Sequence, residues 1–235
     1  MTVGIMQPYV FPYLGYFQLI EAVDKFVVYD DVNFIKGGWI NRNRILNSGQ
    51  GRWFTIPIKS LSPNNLICET EINKALYPKF KKKFFKTLEQ NYSKAPFFCS
   101  VYPIIEDVFN QDYDLISSLA GESIKAITKF LNISVTFETS SETYSKSRGM
   151  ERTDRVINIC LHNKAKSYIN VSGGVDLYQK SDFKKNGIEL SFLKHGLPKY
   201  KQYNDDFING LSIIDALMFN DKDEVKSMLS QYTLF

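Results

Sequence analysis

Soft metal ligands are scarce in this chain of 235 residues: it has two histidines, His162 and His195, and three cysteines, Cys68, Cys99 and Cys160, with no pair at CxxC spacing. Neither a zinc centre nor a disulfide framework is supported, and each cysteine reads as a small buried apolar residue. A nucleophilic thiolate needs a cationic neighbour, which spacing alone does not supply. Long apolar runs are missing too. No segment reaches the ~18 consecutive apolar residues of a membrane span, and the N-terminus lacks a charged region leading into an apolar core and a cleavage site. These absences point to a cytoplasmic protein without membrane insertion, and no metal or cofactor is implied. The net charge of +4 makes no demand for nucleic acid, yet it suits an anionic substrate. No internal repeat is found.

What the chain does contain is 44% hydrophobic and 23% charged residues, the proportions of a soluble globular protein, in a length that suits one sizeable domain. Its most informative stretch is N-terminal. An apolar run over residues 3–6 predicts a strand, a turn with Pro8, Pro12 and Gly15 follows, and apolar spacing near 3.6 begins at Tyr16. Strand, loop and helix start together place backbone N–H groups and a positive helix end at the tip of a sheet, where anions bind. The loop carries Gln7, Tyr9, Tyr13 and Tyr16 where a purely structural turn would use Ser, Asp or Asn. Residues 25–29 (KFVVY) read as a strand buried on both faces, ending in Asp30 and Asp31. Neighbours on a strand point opposite ways, so one carboxylate faces a site and the other is solvated or pairs with Lys36 or Arg42. Residues 36–44 then combine Lys36, Trp39, Asn41, Arg42 and Asn43 with two glycines. Arginine forks and amides recognise phosphate or carboxylate, and an indole offers a stacking face.

Further along, residues 46–51 read as a turn, 52–58 as a third strand and 61–65 as a loop. Residues 66–72 look extended, with Glu69 and Glu71 on one face and Glu69 the better candidate base. Helices are expected over 77–92, 101–109 and 113–131. The lysines of the first read as a solvated face. A strand at 133–138 leads to a Ser-rich loop ending at Arg148, which could close over substrate. Helix 156–163 and strand 166–171 precede Ser172, Gly173 and Gly174, whose backbone can approach an oxyanion closely, and a helix at 175–186. His195 lies just past a closing strand at 187–192, a natural place for a proton-transfer group. Apolar helices complete the C-terminus.

Gln7-Pro8, Gly15-Tyr16-Phe17, Asp30-Asp31-Val32, Lys36, Trp39 and Asn41-Arg42-Asn43-Arg44-Ile45 together resemble the WbqC-like proteins, found in gene clusters for bacterial surface polysaccharide and O-antigen synthesis. Glu69, Thr153, Ser172-Gly173-Gly174, Tyr178, Tyr200 and Gln202 extend the resemblance across nearly the whole chain. Two departures stand out: Asp154 replaces a glutamate after Thr153, and Leu197 stands where the family pattern has a histidine before Pro198. The resemblance implies a transferase of the O-antigen and lipopolysaccharide pathways, a glycine transferase acting on an amino sugar.

The expected architecture is α/β, a single domain over 1–235 with a mainly parallel, three-layer sheet, Rossmann-like or nucleotidyltransferase-like, and an inserted helical lobe at 77–131. Tyr13-Leu14-Gly15-Tyr16 occupies the place of the His-x-Gly-His loop of nucleotidyltransferases, without either histidine. The expected partners are a nucleotide-linked sugar and an activated acyl or aminoacyl donor, free or on a carrier protein. Asp31, Asp30 and His195 are the candidate proton acceptors, and the other residues named above would bind substrate. A nucleotidyl or adenylyl transferase with metal on Asp30 or Asp31, and a non-catalytic sugar-nucleotide-binding module, are the alternatives.

Overall fold

A computed structural model of the chain describes residues 1–60, 62, 64–203 and 206–235. The loop expected at 61–65 therefore includes two residues, Leu61 and Pro63, that lie outside the described set. In chain order the elements are β1 (Thr2–Met6), α1 (Leu14–Glu21), β2 (Lys25–Val28), β3 (Arg42–Asn47), β4 (Gln50–Thr55), α2 (Tyr77–Tyr92), α3 (Phe98–Asn110), α4 (Ile116–Phe130) and β5 (Thr136–Thr139). They continue with α5 (Ser140–Thr143), α6 (Arg152–His162), β6 (Ser167–Val171), α7 (Lys180–Lys185), β7 (Glu189–His195), α8 (Ile213–Phe219), α9 (Lys222–Leu229) and β8 (Tyr232–Leu234).

The fold is α/β. Six strands form one sheet in the order β5-β2-β1-β6-β7-β8, with every neighbouring pair parallel except the antiparallel β7 and β8. Successive side chains on a strand face opposite ways, and the core divides accordingly. Phe26, Val28, Ile169 and Leu193 join one apolar cluster with α1, α8 and α9, while Val27, Tyr168 and Phe192 join a second with α6 and α7. The apolar runs within β1 and β2 are thus explained by burial on both faces. Ranked along the chain, the strands of this sheet run 3-2-1-4-5-6, so the order reverses between β1 and β6. Open parallel sheets bind ligands outside the carboxyl ends of their strands at such a reversal.

Several sequence expectations are corrected. Residues 42–47 form a strand, and the expected third strand, β4, pairs with it in a separate antiparallel hairpin outside the main sheet. Its two-residue turn, Ser48 at φ 52 and Gly49 at φ 70, has the positive φ pair that matches strand twist. Residues 66–72 are not one extended face. Ile67–Glu69 is a 3₁₀ turn, and Glu71 is ion-paired with Lys59. The helix expected at 175–186 is split into a 3₁₀ turn, Ser172–Leu177, and α7. Pro103 lies inside α3 without ending it; the carbonyl it deprives of a helix partner is that of Cys99, an exposed position. Of the thiols, Cys160 alone is buried as expected, whereas Cys68 is half-buried and Cys99 exposed. No helix among the described residues is long and apolar enough to cross a membrane.

Candidate active site on the carboxyl rim

The carboxyl ends of the parallel strands lie on one edge of the sheet, so the loops after β1, β2, β5, β6 and β7 share a rim. The tyrosine loop and the turn holding Gly173 leave adjacent strands, β1 and β6, and therefore open on the same side. The tyrosine loop is held from four directions. Val10 N–H donates to Ile40 O, Phe11 N–H to Ser123 Oγ at 2.9 Å, and Phe11 O accepts from Asn43 Nδ2 at 2.8 Å and Ser212 Oγ at 2.6 Å. Phe11 itself has φ 40 and is fully buried. A bulky residue pays about 1–3 kcal/mol for such a backbone, which persists only where its surroundings over-determine it. The loop is thus fixed before any ligand arrives.

Asn41 and Asn43, expected to offer donors to a ligand, face inward. Asn41 Nδ2 donates to Ile56 O, and Asn43 Nδ2 donates to both Val10 O and Phe11 O. The Asn43 amide fastens the hairpin to the tyrosine loop, and the Asn41 amide ties the two ends of the hairpin together. Asn43→Ala takes the amide donor from the Val10 carbonyl, while Phe11 O keeps Ser212 Oγ, and is expected to lower the unfolding free energy by about 1–3 kcal/mol, read from the urea midpoint.

Within the loop, Tyr16 is fully buried and donates from its hydroxyl to Gln7 O at 2.8 Å. Tyr9 packs on it, with ring centroids 5.6 Å apart. Tyr13 reaches across the rim to β7, where its hydroxyl lies 2.9 Å from His195 Nε2. Burial, then the neighbouring Tyr9, pushes the Tyr13 phenol up to about 12, and burial lowers His195 below its ordinary 6.5. Both groups are therefore neutral at pH 7. With Tyr13 donating to Nε2, the imidazole proton sits on Nδ1, which is buried without a partner. Gly15 makes this pairing possible. A Cβ there would stand 2.5 Å from Tyr13 Cε2 and 2.7 Å from His195 Nδ1. Gly15→Ala should part the two rings and destabilise the protein by about 1–3 kcal/mol, with the His195 ¹⁵N resonances shifting as the contact is lost.

A second cluster stands after β2 and β5. Asp30 accepts from Ser141 N–H at 3.0 Å and Ser141 Oγ at 2.9 Å, and Ser140 Oγ, which donates to Asp31, lies 3.1 Å from Asp30 Oδ1. Burial raises the Asp30 carboxyl despite these serines. Asp31 Oδ2 lies 2.5 Å from Arg155 Nη2, and both side chains are almost wholly buried. Arg155 also stacks on Tyr29 at 4.8 Å. Contrary to the sequence expectation that one carboxylate is solvated or pairs with Lys36 or Arg42, both are buried and tied into the rim. Arg148, nearly half exposed, stands 3.9 Å from Asp31 Oδ2, 3.9 Å from Glu69 Oε1 and 3.6 Å from Cys68 Sγ. Burial and the Asp30 carboxylate raise the Cys68 thiol, which leaves it a poor nucleophile at neutral pH. Thr153 is half-buried in the first turn of α6, two residues before Arg155. Sequence reasoning missed Arg155, Ser140 and Ser141. Arg155 carried a usable signal, a cation among Val156, Ile159 and Cys160 on the buried side of α6.

Four candidates stand apart from the rim. Arg42 turns back on its own loop, bonded to Gly37 O and to Gly38 O at 2.9 Å and stacked 4.3 Å over Trp53. Trp39 packs against Trp53 in the same hairpin. Tyr200 donates to Asp215 Oδ1 at 2.7 Å in a network shared with Tyr92 and Gln202, so it braces α8. Lys36 is exposed beside the Arg42 groove. Among the described residues no group of three or more His, Cys, Asp or Glu is placed to hold a metal ion.

The family model described as the WbqC-like protein family matches residues 7–227. The chain belongs to this family. The WbqC-like match starts at Gln7 and runs past His195, and so includes every rim residue described above. A relative from Mycobacterium tuberculosis, the uncharacterized protein Rv1507c, is 30% identical over 221 residues, covering 93% of each chain. No solved structure matches. In this WbqC-like chain the nearest histidine to Leu197 is His195, two positions earlier on β7.

Proposed function

We propose that the protein is an acyltransferase of surface polysaccharide synthesis, moving a glycyl or other acyl group onto the amine of a nucleotide-linked amino sugar. The pathway and the class of acceptor come from the family resemblance. Support for the chemistry comes from one observation above all: Tyr13 and His195 form a neutral, half-buried hydrogen-bonded pair on the rim where the strand order reverses. Amide formation needs a base for the attacking amine and donors for the oxyanion. In this reading the amine nitrogen bonds to the acyl carbon while Tyr13 Oη takes its proton and passes its own to His195 Nε2. The bond to the leaving group then breaks, and that group carries the proton away. The Ser172 and Gly173 N–H groups precede the first i→i−3 bond of the 3₁₀ turn, and the Ser172-Gly173-Gly174 backbone is assigned to the oxyanion or the nucleotide phosphates.

Asp31 is the weaker candidate base, because Arg155 and Ser140 occupy its two oxygens. It is assigned instead, with Asp30, to fixing the rim, while Arg148 meets an anionic group of the substrate. The sheet is read as Rossmann-like, the helices of 77–131 as its insert, and the protein as cytoplasmic. Incubating the protein with a nucleotide-linked amino sugar and a glycyl thioester, followed by mass spectrometry of the sugar nucleotide, tests the proposal. A glycyl mass increment supports it. Magnesium-dependent pyrophosphate release from ATP or CTP would assign nucleotidyl transfer instead, and tight binding without turnover would assign a binding module.

A further inference from the structure

The hairpin and α2 enclose a groove of about 470 Å³ that the rim chemistry does not use. Ile45, Phe54, Phe80 and Phe84 line it, together with Arg52, Lys79 and Lys83. Trp53 and Leu76 stand at the same groove with 46% and 52% of their surfaces exposed, and Trp39, 40% exposed, touches Trp53 with ring centroids 4.8 Å apart. Both tryptophans of the chain thus meet in contact with solvent. Large apolar side chains gathered at an exposed groove mark a surface that meets an apolar partner.

The charge beside them is of one sign. Lys79, Lys82, Lys83 and Lys86 recur at i, i+3, i+4 and i+7 along α2 and are all exposed, so they share one face. Among the described residues none of the four, nor Arg52, is ion-paired with a carboxylate. The seven-residue span of this stripe is ~10 Å long. That is longer than one phosphate group and suits a row of them.

Indoles beside a stripe of unpaired lysines match the two chemistries of a lipid surface, interfacial aromatic anchoring and attraction to anionic headgroups. We propose that this face docks the protein on an anionic membrane, with Trp39, Trp53 and Leu76 entering the headgroup layer and the α2 lysines meeting lipid phosphates. This docking is peripheral, and it stands whether or not the acyl-transfer reading holds.

Vesicle co-sedimentation tests it, comparing phosphatidylcholine alone with phosphatidylcholine containing phosphatidylglycerol. The full-length protein should sediment with the anionic vesicles alone, lose that binding at high salt, and show a blue shift of indole emission that reports on this face only. The double variant Lys79→Glu, Lys83→Glu should bind at least about tenfold more weakly, and Trp53→Ala should bind less while keeping an unchanged circular-dichroism melt. Three results would overturn the proposal: equal binding to neutral vesicles, no binding to anionic ones, or charge-reversed protein that binds as well as the original. Concentration-dependent dimerisation lost in Trp53→Ala would also overturn it, by giving the groove to a second copy of the chain.

Discussion

Replacing Arg155 with alanine should lower the free energy of unfolding by about 3–5 kcal/mol, because it leaves the buried Asp31 carboxylate with only the half-exposed Arg148, 3.9 Å away, as a cation. The Asp31 side chain has no exposed surface and that of Arg155 has 5%. Removing one partner of such a pair forfeits their attraction and leaves the desolvation penalty of the other. Loss of the stacking on Tyr29 adds to it. Reciprocally, the apolar double variant Arg155→Met, Asp31→Leu should recover most of the loss, since buried pairs are often neutral when exchanged for packed hydrocarbon. Urea unfolding followed by circular dichroism measures both. A single-variant loss under about 1 kcal/mol, the range of a surface ion pair, would show that the pair is solvated in solution.

His195→Asn should lower kcat for acyl transfer by about 10²–10⁴-fold, the usual contribution of a positioned base, with little change in melting temperature. Tyr13→Phe, which keeps the ring and removes the relay hydroxyl, should fall in the same range. The pH dependence carries a sign. Burial holds the native imidazole below its ordinary 6.5, so the acidic limb of kcat/KM should lie below that value and vanish in His195→Asn. Stability should follow the same group. A depressed native pKa contributes stability that is complete above 6.5 and is lost as pH falls through the lower native value. A variant that melts normally, turns over normally and keeps the acidic limb would remove His195 from the chemistry.

The legible parts of this structure are those that local pattern dictates. Parallel strands buried on both faces announce themselves as unbroken apolar runs, as at 26–28, and α2 spans Tyr77–Tyr92, where phenylalanines recur at helical spacing. The shared rim of the tyrosine loop and Ser172-Gly173-Gly174 follows from the same pattern, because successive parallel strands point their carboxyl ends one way. Less legible were features fixed by long-range partners. Residues 36–44 read as a ligand clamp because amides and arginines suit anions, yet Asn43 is satisfied by Val10 and Phe11, 33 and 32 positions away in sequence. Asp31 meets Arg155 across 124 positions, a separation at which no sequence periodicity speaks. The Tyr13–His195 contact spans 182 positions, and only the sheet order brings β7 near the first loop.

Titrating ¹⁵N-labelled protein with a nucleotide-linked amino sugar tests the site itself, independently of any acyl donor. Amide shifts should concentrate at residues 7–15, at 172–174 and at His195, the three segments that the sheet brings to one rim. Shifts confined to the hairpin and α2, or none at saturating ligand, would contradict the assignment.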